Sequence, residues 1–93
     1  MEANQEKVTS LRVNSSADPV ALSTKIFSLL KEGMPKVEVM CVGASSVNQA
    51  CKAVAIASGK CTTAGISVGN DISFFTPDIK GVGTGIKITV KVV

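Results

Sequence analysis

The segment from Gly43 to Lys52 holds the densest set of polar side chains with a shared geometry. It reads Gly-Ala-Ser-Ser-Val-Asn-Gln-Ala-Cys-Lys, between an alternating apolar stretch and a helical one. The pattern predicts a helix start where free N–H groups, two hydroxyls and a lysine lie together. Such an end attracts anions, including phosphate, through the helix dipole and its unpaired donors. Two interpretations stay open here: an anion site, or a serine cap whose neighbouring amides support an oligomer interface.

A second candidate is the glycine-rich stretch from Gly81 to Gly85. Phosphate-binding loops of this kind lead into a helix, whose N–H groups meet the phosphate, whereas here an alternating strand pattern follows. We therefore interpret the stretch as a flexible hairpin arm. The acidic residues are scattered over different elements, so they predict neither acid/base chemistry nor a metal site.

The composition limits the classes of function. The chain has 93 residues, of which 45% are hydrophobic and 18% charged, and its net charge is only +3. It has no His, which removes the commonest general base and most zinc sites. The cysteines Cys41, Cys51 and Cys61 lack close spacing, and we interpret all three as buried apolar residues. No enzyme activity, metal or cofactor is expected, and the absence of a signal-like N-terminus favours a cytoplasmic protein.

The first half of the chain predicts alternating strands and helices. A tail covers residues 1–6, and a single domain covers 7–93. A strand at Lys7–Asn14 precedes a helix that begins with the Asp18-Pro19 cap, runs to about Glu32 and stops at Gly33. A second strand follows at Lys36–Val42, with apolar residues on both faces.

The second helix is expected from about Val47 to Ser58, with Gly59 as its end. Its main apolar face comprises Val47, Ala50, Cys51, Val54 and Ala57. Ala53 and Ile56 extend this apolar character to a further face, more than one thin sheet covers, so we expect part of the helix to contact a second subunit.

The second half predicts a hairpin. Its strands are Asp71–Thr76 and Gly85–Val93, the latter with Ile86, Ile88, Val90 and Val92 facing inward. Phe74 and Phe75 point to opposite faces, so at most one ring is free to stack on a base and the other is core. The sequence therefore predicts an α+β, two-layer β-α-β-α-β-β fold, with two helices on one face of a four-stranded mixed sheet.

Two stretches of the chain resemble the stage V sporulation protein S family. The run from Val42 to Gly59 is close to the family pattern G-A-x-x-x-N-Q-A-x-K-A-V-A-I-A-x-G, and Leu11 to Pro19 resembles the family's first strand and the approach to its first helix. The resemblance extends from about Val8 to the C-terminus. It implies a small cytosolic regulator of sporulation and cell division, with a fold similar to that of Alba, an archaeal chromatin protein that dimerises and binds DNA and RNA.

Alba-like proteins hold nucleic acid with the turn after the first strand, the turn before the second helix and the final hairpin arm. The resemblance therefore implies the contacts Asn14, Ser15, Ser16, Ser45, Ser46, Asn48, Gln49, Lys52, Lys80 and Lys87. This chain has Asn14-Ser15-Ser16 where Alba places a pair of lysines, and Ala44-Ser45 where Alba carries arginine. Because cation–phosphate contacts dominate nonspecific affinity, we expect binding of DNA or RNA to be weak and mostly nonspecific.

Three functions are therefore compatible with the sequence. The first is a non-enzymatic nucleic-acid-binding regulator that forms a homodimer or higher oligomer through the second helix, without membrane association. The alternative is a homo-oligomeric protein-interaction scaffold that has lost the nucleic-acid surface. A third is a small-anion or nucleotide sensor at the helix start formed by Ser45 and Ser46.

Overall fold

A computed structural model describes residues 7–78, 81 and 83–93, so the predicted tail at 1–6 lies outside the described residues. The elements are β1 (Val8–Val13), α1 (Pro19–Lys31), β2 (Lys36–Cys41), α2 (Ala44–Thr63), β3 (Val68–Phe75) and β4 (Gly85–Val92). The sheet order is β1-β2-β4-β3; β1 is parallel to β2, and the other two pairs are antiparallel. The predicted α+β order and the four-stranded mixed sheet are confirmed.

The core lies between one face of the sheet and the two helices. Its buried side chains come from β1, β2, β4 and both helices, and they include Val37, Val39 and Val90, which are fully buried. The other sheet face carries the alternate residues of each strand, among them Arg12 and Lys87. We call it the open face. In the described ranges, neither helix is both long and apolar enough to cross a bilayer.

Helix α1 begins and ends as its sequence predicts. Asp18 is the N-cap and accepts a hydrogen bond from Val20 N at 3.0 Å, while Pro19 occupies the first helical position. The helix ends at Lys31, and Gly33 follows shortly after it. Beyond this glycine, Met34 N donates a hydrogen bond to Leu29 O. This pairing satisfies carbonyls that the helix end leaves free.

Helix α2 is longer than predicted at both ends. It begins at Ala44 rather than Val47, and it continues through Gly59 to Thr63. A glycine inside a helix costs about 1 kcal/mol, but continuation buries Cys61 in the core. The helix stops before Gly65, whose φ of +82° suits glycine. Gly65 N donates to Thr62 O, and Ile66 N donates to Cys61 O at 2.8 Å, closing the last turn.

The buried stripe of α2 also differs from the predicted one. Ala53 and Cys61 are buried, whereas Cys51 is exposed, which contradicts the interpretation of all three cysteines as buried. The stripe Ala50, Val54, Ala57, Cys61 follows the helical period, and Cys51 lies one residue to its side. Ala53 packs inside the protein's own core, so it does not face a second subunit as predicted.

Strands β3 and β4 depart from prediction at their outer ends. β3 begins at Val68 rather than Asp71, because Val68 pairs with Val92 and extends the ladder by three residues. Of the four β4 residues predicted to face inward, Ile88 and Val90 are buried and Ile86 is half-buried. Val92, near the end of the chain, is exposed instead.

Candidate functional site

The turn after β1 is held by its own polar side chains. Asn14 Oδ1 accepts hydrogen bonds from Ser16 N and from Ser16 Oγ, both at 3.0 Å, and Ala17 N donates to Asn14 O. Asn14 and Ser16 therefore stabilise the turn by pairing with each other. Ser15 lies exposed between them.

The N-terminus of α2 has no side-chain cap. Its N-cap is Gly43, with φ of 92° and ψ of 152°, and the first turn contains no acidic residue. This backbone conformation is essentially restricted to glycine, so a capping side chain cannot occupy the position without strain. The N–H groups of the first turn therefore remain available, in contrast to α1, where Asp18 fills the same role.

The β1 turn and the start of α2 meet at one cavity, which we call the loop-end cavity. Its volume is about 450 Å³. Three of its lining residues were predicted as site residues: Asn14, Ser15 and Ser46. The others are Arg12, Val13, Met40, Val42 and Phe75.

Arg12 and Phe75 are the site residues that sequence reasoning missed. Arg12 makes no hydrogen bond or ion pair within the described residues. The sequence alone places Arg12 at the end of a strand and on its polar face. That Phe75 lines the same cavity depends on the order of the strands in the sheet. Phe75 is half-buried on the open face and Phe74 is 76% exposed, so the prediction that one ring is core was wrong.

Ser46 is the most buried polar group of the cavity wall, at 4% exposure. It is not the cap of α2, which is Gly43, and its hydroxyl has no hydrogen-bond partner within the described residues. Ser45, the preceding residue, is exposed. Sequence reasoning identified both serines but could not distinguish their surroundings.

The remaining predicted site residues lie outside the cavity lining. Gln49 Nε2 donates to Ala17 O at 3.1 Å, which ties α2 to the connection between β1 and α1. Asn48 and Lys52 are exposed on α2, and Lys80 falls outside the described residues.

Lys87 is on the open face, paired across β4 and β2 with Met40. Its Nζ lies 3.6 Å from Glu38 Oε2, so its charge is already partly compensated. Arg12 is the neighbour of Met40 on the other side, in β1. Two cations therefore flank a cavity-lining methionine, and only Arg12 lacks an acidic partner within the described residues.

A second groove lies between α2 and the edge strand β3. It measures about 170 Å³ and is lined by Cys51, Val54, Ala55, Asn70, Ile72 and Ile88. The register places Ile72 and Phe74 on the same sheet face as Ile88 and Ile86, the face that the helices cover elsewhere. Ile72 and Phe74 are nevertheless 69% and 76% exposed. We call Cys51, Ala55, Ile72 and Phe74 the α2–β3 surface.

Within residues 7–78, 81 and 83–93, no group of three or more His, Cys, Asp and Glu could hold a metal ion. Two thiols of the described residues have shifted pKa values. Burial raises the pKa of Cys41, and the charge of Cys51 raises it further; burial also raises the pKa of Cys61. These thiols are therefore less ionised than free cysteine and less nucleophilic at neutral pH.

The fold is similar to that of the solved structure of Alba from Thermoplasma volcanium. The TM-score is 0.56 at 11% sequence identity, over 91% of this chain and 99% of Alba. An identity this low shows the fold alone, and the protein is a small α+β protein of the Alba-like fold.

The family model for Stage V sporulation protein S (SpoVS) matches residues 9–93, and the chain belongs to this family. Membership of this family supports a small regulatory protein. No curated protein matches the chain by sequence. The predicted resemblance is thus confirmed over nearly the whole chain.

Proposed function

We propose that this protein is a non-enzymatic, cytoplasmic regulator that binds DNA or RNA weakly and mostly nonspecifically. The observation that carries the proposal is the loop-end cavity, which Arg12 and Ser46 both line and whose wall includes the uncapped N-terminal turn of α2. Donors and positive charge gathered in one place match the phosphate oxygens of a nucleic-acid backbone. The protein also has a fold similar to that of Alba. Alba-like proteins are chromatin proteins that bind nucleic acid, so this similarity supports the same proposal.

The expected phosphate contacts differ in their importance for binding. Arg12, without an acidic partner among the described residues, and the first-turn N–H groups of α2 supply the main phosphate contacts. Lys52 is exposed and adds to them, whereas Lys87 must first release Glu38. With so few cations, affinity should be low and strongly dependent on salt.

The test is a titration of fluorescent duplex DNA and of RNA with purified protein, at low and at near-physiological salt. Binding should weaken as salt increases, and removal of one phosphate contact should reduce the slope of log K against log salt by about 1. We expect that reduction for Arg12→Gln and for Lys52→Ala. Lys31→Ala is the matched control, because Lys31 ends α1 shortly before β2 begins, whereas the cavity lies where β1 and β2 end.

If all three variants bind nucleic acid with the affinity and the salt slope of the wild-type protein, this surface is not the binding site. Absence of binding at low salt by a folded, self-associated protein would favour the scaffold function instead. The scaffold is favoured by one observation, the α2–β3 surface, whose apolar side chains are exposed. A contiguous apolar surface of this kind is typical of a protein–protein contact.

We also propose that the protein self-associates through the α2–β3 surface. A twofold axis would place the surface against its own copy, so that Ile72 and Phe74 lose their contact with water. The proposal keeps α2 at the interface, as the sequence predicts, but assigns the contact to Cys51 and Ala55 rather than to buried Ala53.

A further inference from the structure

The wall of the loop-end cavity has two chemically different parts. Arg12, Asn14, Ser15 and Ser46 supply polar groups, whereas Val13, Met40, Val42 and Phe75 supply apolar surface. The volume of about 450 Å³ is within the range of roughly 300–1,000 Å³ that is usual for small-molecule sites. An occupant that satisfies both parts must therefore be anionic at one end and flat or apolar at the other.

Three independent features favour an anion at the polar end. Ser46 is almost fully buried, yet its hydroxyl lacks a hydrogen-bond partner within the described residues. Ser58 Oγ is the buried side-chain atom that lacks a partner among the described residues, so the unpaired Ser46 hydroxyl is not sealed in the core but is accessible from the cavity it lines, where it is free to pair with a ligand. The N-terminus of α2 beside it carries no side-chain cap and no acidic first-turn residue, and Arg12 has no ion-pair partner in the described ranges.

At the apolar end of the cavity, the aromatic ring of Phe75 packs against the backbone of the neighbouring strand. Phe75 pairs with Gly85 on the neighbouring strand β4. A Cβ at Gly85 would collide with the Phe75 ring and lie 2.9 Å from Cys41 O, so the ring rests directly on the strand backbone. Because glycine lets the ring lie this close, Phe75 presents a positioned surface on which a base can stack.

We propose that the loop-end cavity binds one nucleotide unit, with its phosphate at the N-terminus of α2 and its base against Phe75. The unit is either a free nucleoside monophosphate or an unpaired nucleotide within a strand, since both present the same chemistry. This inference rests on the proposed function, because it uses the same surface, and it adds the apolar part that backbone binding alone does not need. Stacking tolerates every base, so weak base preference is expected.

The first experiment follows backbone amide NMR signals of the wild-type protein during titration with AMP, adenosine, ribose 5-phosphate and inorganic phosphate. AMP alone fills both parts, so it should bind at least about tenfold more tightly than each of the other three. Shifts should concentrate at Ser15, Ser46 and Phe75. Equal affinity for inorganic phosphate and AMP, or shifts centred elsewhere, would overturn the proposal.

Variants separate the two ends of the cavity. Phe75→Leu should weaken AMP about tenfold and leave binding of inorganic phosphate unchanged, whereas Ser46→Ala should weaken both. Phe74→Leu, an exposed phenylalanine next in sequence but on the other sheet face, is the matched control and should change neither. Thermal melting of each variant establishes that it is folded. If Phe75→Leu and Phe74→Leu bind AMP equally well, the base does not contact Phe75 and the proposal fails.

A competition experiment distinguishes the two sources of the nucleotide and separates this proposal from the proposed function. If the site takes an unpaired nucleotide, a single-stranded tetranucleotide should displace AMP more effectively than a duplex does; a free-nucleotide site should favour AMP over both. AMP binding without any salt-dependent DNA or RNA binding would sustain the cavity proposal and refute the proposed function. Arg12-dependent DNA or RNA binding without AMP binding would do the reverse.

Discussion

The three cysteines have the same chemistry and different surroundings. Cys41 and Cys61 lie in the core, and Cys41 Sγ donates a hydrogen bond to Ile86 O at 3.2 Å. Cys51 is exposed in the groove beside β3. Exposure controls access to a thiol, so the three residues should react at very different rates.

We expect one fast-reacting thiol in the native protein. A thiol-specific reagent at neutral pH should label Cys51 at least about tenfold faster than Cys41 and Cys61, which react only after local opening of the fold. Mass spectrometry of the digested protein identifies the labelled residue. Cys51→Ser should abolish the fast phase; fast labelling that persists in this variant would contradict the burial of the other two.

The buried thiols also predict a loss of stability in alkaline solution. Burial raises the pKa of Cys41 and of Cys61 above the ordinary value of 9.0, so the unfolded chain releases these protons at lower pH than the folded chain. Their contribution is complete below pH 9 and declines as the pH rises through the folded-state pKa values. Urea unfolding between pH 7 and 10 should show the decline, and it should be smaller in the Cys61→Ala variant.

At the scale of elements, the two helices differ in how the free N–H groups of their first turn are capped. In α1, Asp18 supplies a carboxylate to the free N–H groups. In α2, Gly43 adopts a conformation that excludes a side chain, and the end remains open toward the loop-end cavity. The sequence difference between Asp18 and Gly43 therefore gives one helix a closed end and the other a potential binding end.

Two glycine substitutions on α2 should have opposite effects on stability. Gly43→Ala forces a Cβ into a backbone region almost exclusive to glycine and should destabilise the protein by about 1–3 kcal/mol. Gly59 lies inside the helix with open space around it, so Gly59→Ala should stabilise by about 0.5–1 kcal/mol. Chemical denaturation measures both. A destabilised Gly59→Ala would contradict the continuous path of α2 through this position.

At the scale of the whole molecule, the sheet has an uncovered apolar edge. The helices pack over β1, β2 and β4, and the helix-side residues Ile72 and Phe74 of the edge strand β3 stay exposed. Exposed apolar edge strands invite pairing with another chain. Self-association through the α2–β3 surface would remove this liability.

A double substitution tests that surface. Ile72→Ser together with Phe74→Ser should raise the dissociation constant of the oligomer by at least about tenfold, because it removes the two large exposed apolar side chains of the α2–β3 surface. Sedimentation over a range of protein concentrations provides the measurement, with Val20→Ser, an exposed valine on α1, as the control. Labelling of Cys51 should slow as the wild-type protein self-associates. Unchanged mass in the double variant would place the interface elsewhere.

The order and type of all six elements could be predicted from the sequence, because they depend on local signals. Alternation in β1 and β2, the Asp18-Pro19 cap and the glycine at 33 act within a few residues of themselves. Three of the four polar residues of the cavity wall were also predicted, since Asn14 and Ser15 lie in the turn after β1 and Ser46 lies at the start of α2, both of which these patterns locate. Local patterns are sufficient wherever the physical cause is itself local.

The tertiary structure alone decided the rest. Helix α2 passes through Gly59 because Cys61 gains burial against the core, a contact that no local signal at Gly59 contains. Phe75 reaches the cavity because β3 pairs with β4, and β4 with β2, so that the ends of distant strands meet. Strand order and register depend on contacts between residues far apart in the chain, and such contacts determine which polar and apolar side chains share one cavity.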